Sequence, residues 1–342
     1  MPPHPLILTH SDVRTILYTL PRESLLSIIS SLSTALGQFS APASGIQQPL
    51  RQSLSTSSGY TTLFMPCSSP RFTSFKSVTL ASKNPASPRG SLCIFEPSGD
   101  LLGVLNAEDL TAFRTAAASV IIPLSLRRVS RIVVFGTGRQ AEWALFLCSR
   151  LIERLEHVTL ITRASLDRAE RLLQGLECEG LALSSGDSPD AVGKAVEMSD
   201  AIFCCTPATE PLFPKKFLTG DKVRYISLIG SYEPHMKEVD PSVLKEASVK
   251  VVVDSAEACL LEAGEIIQAG LGLEDLVEIG QVIRERDGGL GDQCMGNTIF
   301  KCVGLAIMDL VVGVELLNIA REREIGVEIP FFASEEAGSQ VS

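Results

Sequence analysis

The chain has 342 residues, of which 45% are hydrophobic and 20% charged. That is enough for about two domains with buried cores, and it excludes a globally disordered polymer. Only 6% of the residues are aromatic, so the cores must be aliphatic and alanine-rich. The formal net charge of −10 repels phosphate backbones, which argues against nucleic acid as a partner.

Nine cysteines, at positions 67, 93, 148, 178, 204, 205, 259, 294 and 302, are odd in number and show no C-x-x-C spacing. A zinc ribbon or thioredoxin-type site is therefore not expected, nor is any other metal, and the thiols fit a reducing compartment. The opening MPPHPLILTH lacks the basic and long apolar regions of a signal peptide. The most apolar helical stretch, 303–320, is interrupted by Asp309 and Glu315 and reads as a buried helix, not a membrane span. A cytoplasmic protein without a membrane partner is the expectation.

In chain order, a short apolar strand at Leu6–Leu8 precedes two helical patterns. The first is capped around Ser11 and Asp12; the second opens at Pro21. Residues 37–59 are rich in Ser, Gly, Pro and Gln and read as a loop. Runs at 61–65, 75–80, 91–95 and 101–105 read as strands of an α+β region with mostly antiparallel pairing. The pattern changes at 131–135, a continuous apolar run of the kind found in buried parallel strands. A helical pattern to about 153 follows it. Further strands at 158–162, 201–205, 225–229 and 249–253, with a helix at 165–176, make a β-α-β alternation and predict a doubly wound parallel sheet. The apolar helix after Lys301 is expected to return to the first domain.

The string FGTGRQAEWAL places Gly136, Gly138 and Ala141 in G-x-G-x-x-A spacing directly after the 131–135 strand and at the start of a helix. In that context Gly136 permits a tight turn, Gly138 lets the backbone approach a pyrophosphate, and Ala141 lets helix and strand pack closely. The helix N-terminus adds free N–H groups and a positive dipole end. Thr137, Arg139 and Gln140 complete this loop. The second strand of the alternation ends Ile161, Thr162, Arg163, without the acid that holds the ribose 2′-hydroxyl of NAD. A hydroxyl and a guanidinium suit a 2′-phosphate better, so NADP(H) is favoured, with NAD(H) as the alternative.

Three cations lie in stretches otherwise short of charge: Arg51, Lys76 within a strand pattern, and Arg114 in LTAFRTAAAS. A guanidinium among Ala, Thr and Ser needs an anion, because burying it unpaired costs several kcal/mol. Singly, each is as well explained by an internal ion pair as by a ligand. Together, beside a dinucleotide domain, they suggest a pocket for a small carboxylate.

The segments QQPLRQSL, TLFMPC, FKSVTL, GVLNAEDLTAFRTAAAS, FGTGRQAEWAL, CCTPATEPLF, LIGSYEPHMKEVD and IFKCVGLAIMDL resemble, in order, the signature blocks of the ornithine cyclodeaminase/mu-crystallin family. The resemblance spans residues 8–331. It implies an α/β fold: a Rossmann domain at 129–307, and a mixed α+β substrate and dimerisation domain built from 1–128 with 308–342. It also implies a homodimer. By this resemblance Arg51 and Arg114 clamp the substrate carboxylate, and Lys76 sits near the reacting nitrogen or carboxylate, either as a further carboxylate ligand or as a proton source. Gln140 joins the phosphate loop, Thr206 and Pro207 form the wall beside the nicotinamide, and Lys301 matches the lysine of the family's F-K-S-x-G block. In one respect the sequence departs from ornithine cyclodeaminases. They carry an Asp after the glycine of the LIGSYEPHMKEVD block, whereas this chain has Ser231, like the reductase branch. The resemblance therefore implies NAD(P)H-dependent reduction of a small carboxylated imine, or the reverse amino-acid dehydrogenation, with Ser231 at the site. A cyclodeaminase-type lyase and a low-turnover NADPH-binding protein are the alternatives.

Overall fold

The computed structural model describes residues 4–81, 88–125, 129–162, 166–175, 182–186, 188–218, 222–246, 248–285 and 296–331. The chain divides into two compact units, one comprising 1–20, 45–110 and 309–342, the other 21–44 and 111–308.

Elements are numbered in chain order. The first unit holds β1 (Leu6–Leu8), β2 (Gln52–Ser55), β3 (Tyr60–Ser68), β4 (Thr73–Ala81), β5 (Arg89–Phe95), β6 (Leu101–Asn106) and β15 (Val327–Glu328) in one sheet of order β15-β1-β6-β5-β4-β3-β2. Strands β2 to β6 form an antiparallel meander, β1 runs parallel to β6, and β15 runs antiparallel to β1. Period-two alternation sorts the side chains. Met65, Lys76 and Leu92 are cross-strand partners on the buried face. The opposite face carries Leu54, Tyr60 and Phe75, all exposed, with Phe64 stacked on Phe75 at 5.7 Å between ring centroids. Helix α1 (His10–Tyr18) starts at a capping box in which the Thr9 hydroxyl accepts from Asp12 N and the Asp12 carboxylate accepts from Thr9 N.

The second unit contains helices α2 (Arg22–Phe39), α4 (Arg139–Leu151), α5 (Leu166–Gln174), α6 (Pro189–Met198), α7 (Ala256–Glu262), α8 (Gly264–Ala269) and α9 (Ile279–Arg284). The unit boundaries fall inside α3 (Glu108–Val120) and α10 (Ala306–Glu322). Its sheet is wholly parallel, built from β7 (Arg131–Phe135), β8 (His157–Ile161), β9 (Ala182–Gly186), β10 (Ala201–Cys204), β11 (Tyr225–Leu228), β12 (Lys250–Val253), β13 (Leu276–Glu278) and β14 (Thr298–Lys301). The order is β13-β12-β14-β11-β10-β7-β8-β9, so the winding reverses between β7 and β10. Strands β10, β11 and β14 are buried throughout, as sheets covered on both faces require.

The doubly wound sheet and the antiparallel meander match the expected fold class. Strand β2 falls in the stretch read as a loop, because all four of its residues are exposed and show no apolar alternation. Strands β9, β13 and β14 extend the expected parallel sheet. The C-terminal boundary falls within one residue of the expected 308, but residues 21–44 and the stretch after 110, expected in the first domain, belong to the second unit. Helix α2 belongs to the second unit, where it packs on α9 and where Arg284 Nη1 donates to Ser40 O at 3.1 Å. Helix α10 is buried along most of its length, and among the described residues no helix is long and apolar enough to cross a membrane.

Candidate active site

The winding reversal places a cleft at the carboxyl ends of β7 and β10, the position at which open α/β sheets bind ligands. Gly136 has φ +106°, and a Cβ there would stand 2.9 Å from the Cys205 carbonyl oxygen; only glycine fits this turn. Gly138 caps α4 with ordinary extended torsions, no side chain caps that helix end, and a Cβ on Gly138 would meet no protein atom within 4 Å. The glycine thus keeps open a cradle that a side chain would fill. The cleft, about 770 Å³, is lined by Thr137, Thr162, Thr206 and Pro207, with Leu212 and Phe213 among its apolar walls. Ala141 is fully buried between helix and sheet, and Gln140 Oε1 is buried with no hydrogen-bond partner among the described residues. Arg139 is half-buried. Arg163 lies outside the described residues.

Behind the Thr206 wall lies a cluster of four fully buried polar side chains: Ser231, Glu238, Glu265 and Lys301. The Ser231 hydroxyl donates to Glu265 Oε1 at 2.6 Å, and Lys301 Nζ donates to Ser231 O and Oγ and pairs with Glu265 Oε2 at 3.2 Å. Glu238 accepts from Thr206 N at 2.7 Å, Thr206 Oγ1 at 3.1 Å and Gly230 N at 2.8 Å. Burial pushes the Glu238 carboxyl up to about 7, against the pull of the Lys301 ammonium. Cys204 and Cys205 are buried at the end of β10, and burial pushes both thiols well above their ordinary range. They are packing groups in the thiol form, not nucleophiles.

In the same unit, Arg114 on α3 is 4% exposed and Nη1 lies 3.7 Å from Met308 Sδ. Its guanidinium rests against the backbone of Gly304, which has φ +98°, and a Cβ at 304 would stand 2.7 Å from Nη2. The buried Asp254 carboxylate fixes this turn by accepting from Gly304 N at 2.7 Å and Val303 N at 3.3 Å. In the first unit, Lys76 on β4 is 1% exposed and pairs with Asp309 at 2.7 Å. Arg51 is half-buried just before β2.

Of the residues singled out in the sequence, Gly136, Thr137, Gly138, Thr162, Thr206 and Pro207 line the cleft, whereas Arg139, Gln140 and Ala141 form the first turn of α4. Ser231 and Lys301 lie behind the wall, bonded to each other. Sequence reasoning missed Glu238, Glu265 and Asp254, which no local motif marks and which are recognised only through burial. Asp309, which interrupts the apolar helix pattern, is paired with Lys76.

A parallel sheet with its glycine loop at the switch point defines a Rossmann-type α/β protein. The sequence profile of the ornithine cyclodeaminase/mu-crystallin family matches residues 11–323, and the chain belongs to that family. It is 32% identical to Delta(1)-pyrroline-2-carboxylate reductase of Bacillus cereus over 68% of this chain and 71% of that one. It is 29% identical to ketimine reductase mu-crystallin of the rat over 83% and 89%. The fold superposes with a TM-score of 0.80 on the Thermococcus litoralis Delta(1)-pyrroline-2-carboxylate reductase in complex with NADH and L-proline, at 22% identity, covering 95% of this chain and all of the other.

Proposed function

We propose that the protein is a nicotinamide-dependent reductase of small carboxylated imines, cyclic ketimines or α-imino acids, producing amino acids, or the dehydrogenase running in reverse. The observation that carries this reading is the state of Ser231. Its hydroxyl is fully buried and bonded to Glu265 and Lys301, so it offers no base to a substrate amine, as the cyclodeaminase reaction demands. The resemblance to relatives named as imine reductases points the same way.

When bound, the nicotinamide supplies or accepts hydride. The chain's own residues do the rest. Gly136 and Gly138 admit the pyrophosphate to the N-terminus of α4. Thr162, with Arg163 next in sequence, receives the ribose 2′-phosphate, which favours NADP(H) over NAD(H). Arg114, with Arg51, holds the substrate carboxylate. Lys76, paired with Asp309, takes the position that the resemblance gives it beside the substrate, as a carboxylate ligand or a proton source.

The exposed apolar face bearing Leu54, Tyr60, Phe64 and Phe75 supports a homodimer, and the seven described free cysteines suit a reducing cytoplasm. Stoichiometric NADPH oxidation with Δ1-pyrroline-2-carboxylate tests the activity. Ammonia release from ornithine without net cofactor change would select the lyase instead, and cofactor binding with no turnover on any imine would select a binding protein.

A further inference from the structure

The segment that forms one wall of the cleft is tied down at several points by a single stretch, 237–238. Lys237 N donates to Ala208 O and Leu212 N donates to Glu238 O, each at 2.8 Å. The Glu238 side chain takes both Thr206 donors on one oxygen and Gly230 N on the other. Glu238 N is itself anchored on Glu265 Oε1 at 2.7 Å. Thr206, Ala208 and Leu212 all line the cleft. Two of the three groups that Glu238 meets through its side chain are backbone N–H groups that can only donate, one on each oxygen. The Thr206 hydroxyl donates to the same oxygen as Thr206 N, so the ionised carboxylate satisfies all three. A proton on either oxygen would weaken that oxygen as an acceptor for the backbone N–H that it holds.

We propose that Glu238 is the positioning residue of the cleft wall: its ionised carboxylate holds Thr206 and the 206–212 segment in the shape that receives the dinucleotide, and its protonation weakens dinucleotide binding. This rests on the dinucleotide reading given above. The groups facing Glu238 are Glu265 on α8, Lys301 on β14, Ser231 and Gly230 after β11, and Cys204 and Cys205 at the end of β10. The thiols remain protonated, so Glu265 and Lys301 set the local charge. Burial of the Glu238 carboxyl, which moves it to about 7, places the change near neutrality.

Fluorescence titration of the full chain with NADH between about pH 5.5 and pH 9 tests the proposal. NADH carries no 2′-phosphate, a group that itself ionises near pH 6. Affinity should tighten roughly threefold or more from about pH 6 to about pH 8, within the tenfold-per-unit ceiling for one proton. Glu238→Gln should bind roughly tenfold more weakly than the unmodified protein at about pH 8, from lost charge-assisted bonds, and should show no pH dependence across this range. Glu265→Gln removes a negative neighbour and strengthens the pull of Lys301, so it should move the midpoint to lower pH, an effect that a merely structural role would not produce. This arm decides the matter should Glu238→Gln not fold. A flat profile in the unmodified protein, or an unshifted midpoint in Glu265→Gln, overturns the role of Glu238 while leaving the dinucleotide reading intact. Absence of binding to both NADH and NADPH at every pH removes both.

Discussion

Lys76 Nζ lies 2.7 Å from Asp309 Oδ2, and the two side chains are 1% and 0% exposed. The partners are 233 residues apart in sequence, so this buried pair joins the middle segment of the first unit, 45–110, to its last, 309–342. Removing one partner strands a charge in a dry site and costs about 3–5 kcal/mol, whereas apolar replacement of both is often neutral. Lys76→Met and Asp309→Leu should each lower the urea midpoint strongly, and the double variant should recover most of it. If Lys76 also delivers a proton, the stable double variant will have lost roughly tenfold or more of its kcat/KM. Full activity in that variant would reduce Lys76 to a structural role.

Arg114→Ala should lower kcat/KM for a carboxylated imine by roughly ten- to hundredfold, as loss of a charge-assisted contact worth about 1.5–3 kcal/mol predicts. Dinucleotide affinity should be nearly unchanged. Gly304→Ala should act in the same direction, because its Cβ would lie 2.7 Å from Arg114 Nη2 at a backbone φ of +98°. Steady-state kinetics alongside cofactor titration separate the two effects. A collapse of NADPH affinity in folded Arg114→Ala would contradict the carboxylate clamp.

Gly138 offers a test in which stability and binding should part. Alanine is compatible with φ −82° and ψ −178° and touches no protein atom. Gly138→Ala should therefore leave the ligand-free protein as stable as before, or about 0.4–1 kcal/mol more stable through the unfolded state. The methyl group would fill the space meant for the pyrophosphate, so dinucleotide affinity should fall roughly tenfold or more. Thermal melts with and without NADPH read both quantities. Unaltered affinity would place the dinucleotide elsewhere.

Cofactor choice turns on the end of β8. NADPH should bind roughly tenfold tighter than NADH, about 1.4 kcal/mol, and Arg163→Ala should erase most of that margin by weakening NADPH, not by improving NADH. Equal or better binding of NADH by the unmodified protein overturns the preference.

Folding stability should also carry the signature of Glu238. Its carboxyl is raised from the ordinary value of 4.5 to about 7, so between these values the folded state holds more protons than the unfolded chain. Stability is then greatest below about pH 4.5 as far as this group is concerned, declines as pH rises, and levels off above about 7 at a cost of about 3 kcal/mol. Urea titrations at about pH 5.5 and pH 8 should show the decline in the unmodified protein and its absence in Glu238→Gln. A rise over the same interval would contradict the assignment.

The fold was legible wherever burial follows pattern. Apolar runs such as 131–135 and 201–204 had to be interior strands, and the glycine loop between strand and helix had to face a cleft. Strand β2 was not legible, since Gln52–Ser55 is an exposed edge held by its pairing with β3. Within the site, the glycines were legible because their use is geometric and local. The buried charges were not. Glu238 lies in PHMKEVD, which looks like a solvated turn, and its partners Thr206 and Gly230 come from separate strand ends. Conversely, His235, a neighbour of Ser231 in sequence, is well exposed against Glu233. Proximity along the chain says little about which groups a parallel sheet gathers at one edge.

The arrangement of the first unit bears on the order in which the protein can form as it leaves the ribosome. Strand β1 is flanked by β6 on one side and β15 on the other, and Arg321 of α10 donates to Leu102 O. The sheet started by residues 6–8 is therefore completed only by residues 327–328. The second unit ends at residue 308, inside α10. At a synthesis rate of roughly 5–20 residues per second, strand β1 waits roughly a quarter of a minute to a minute for its last neighbour. The open edge of β1, and not the locally paired meander, is thus the part of this sheet that stays uncovered longest.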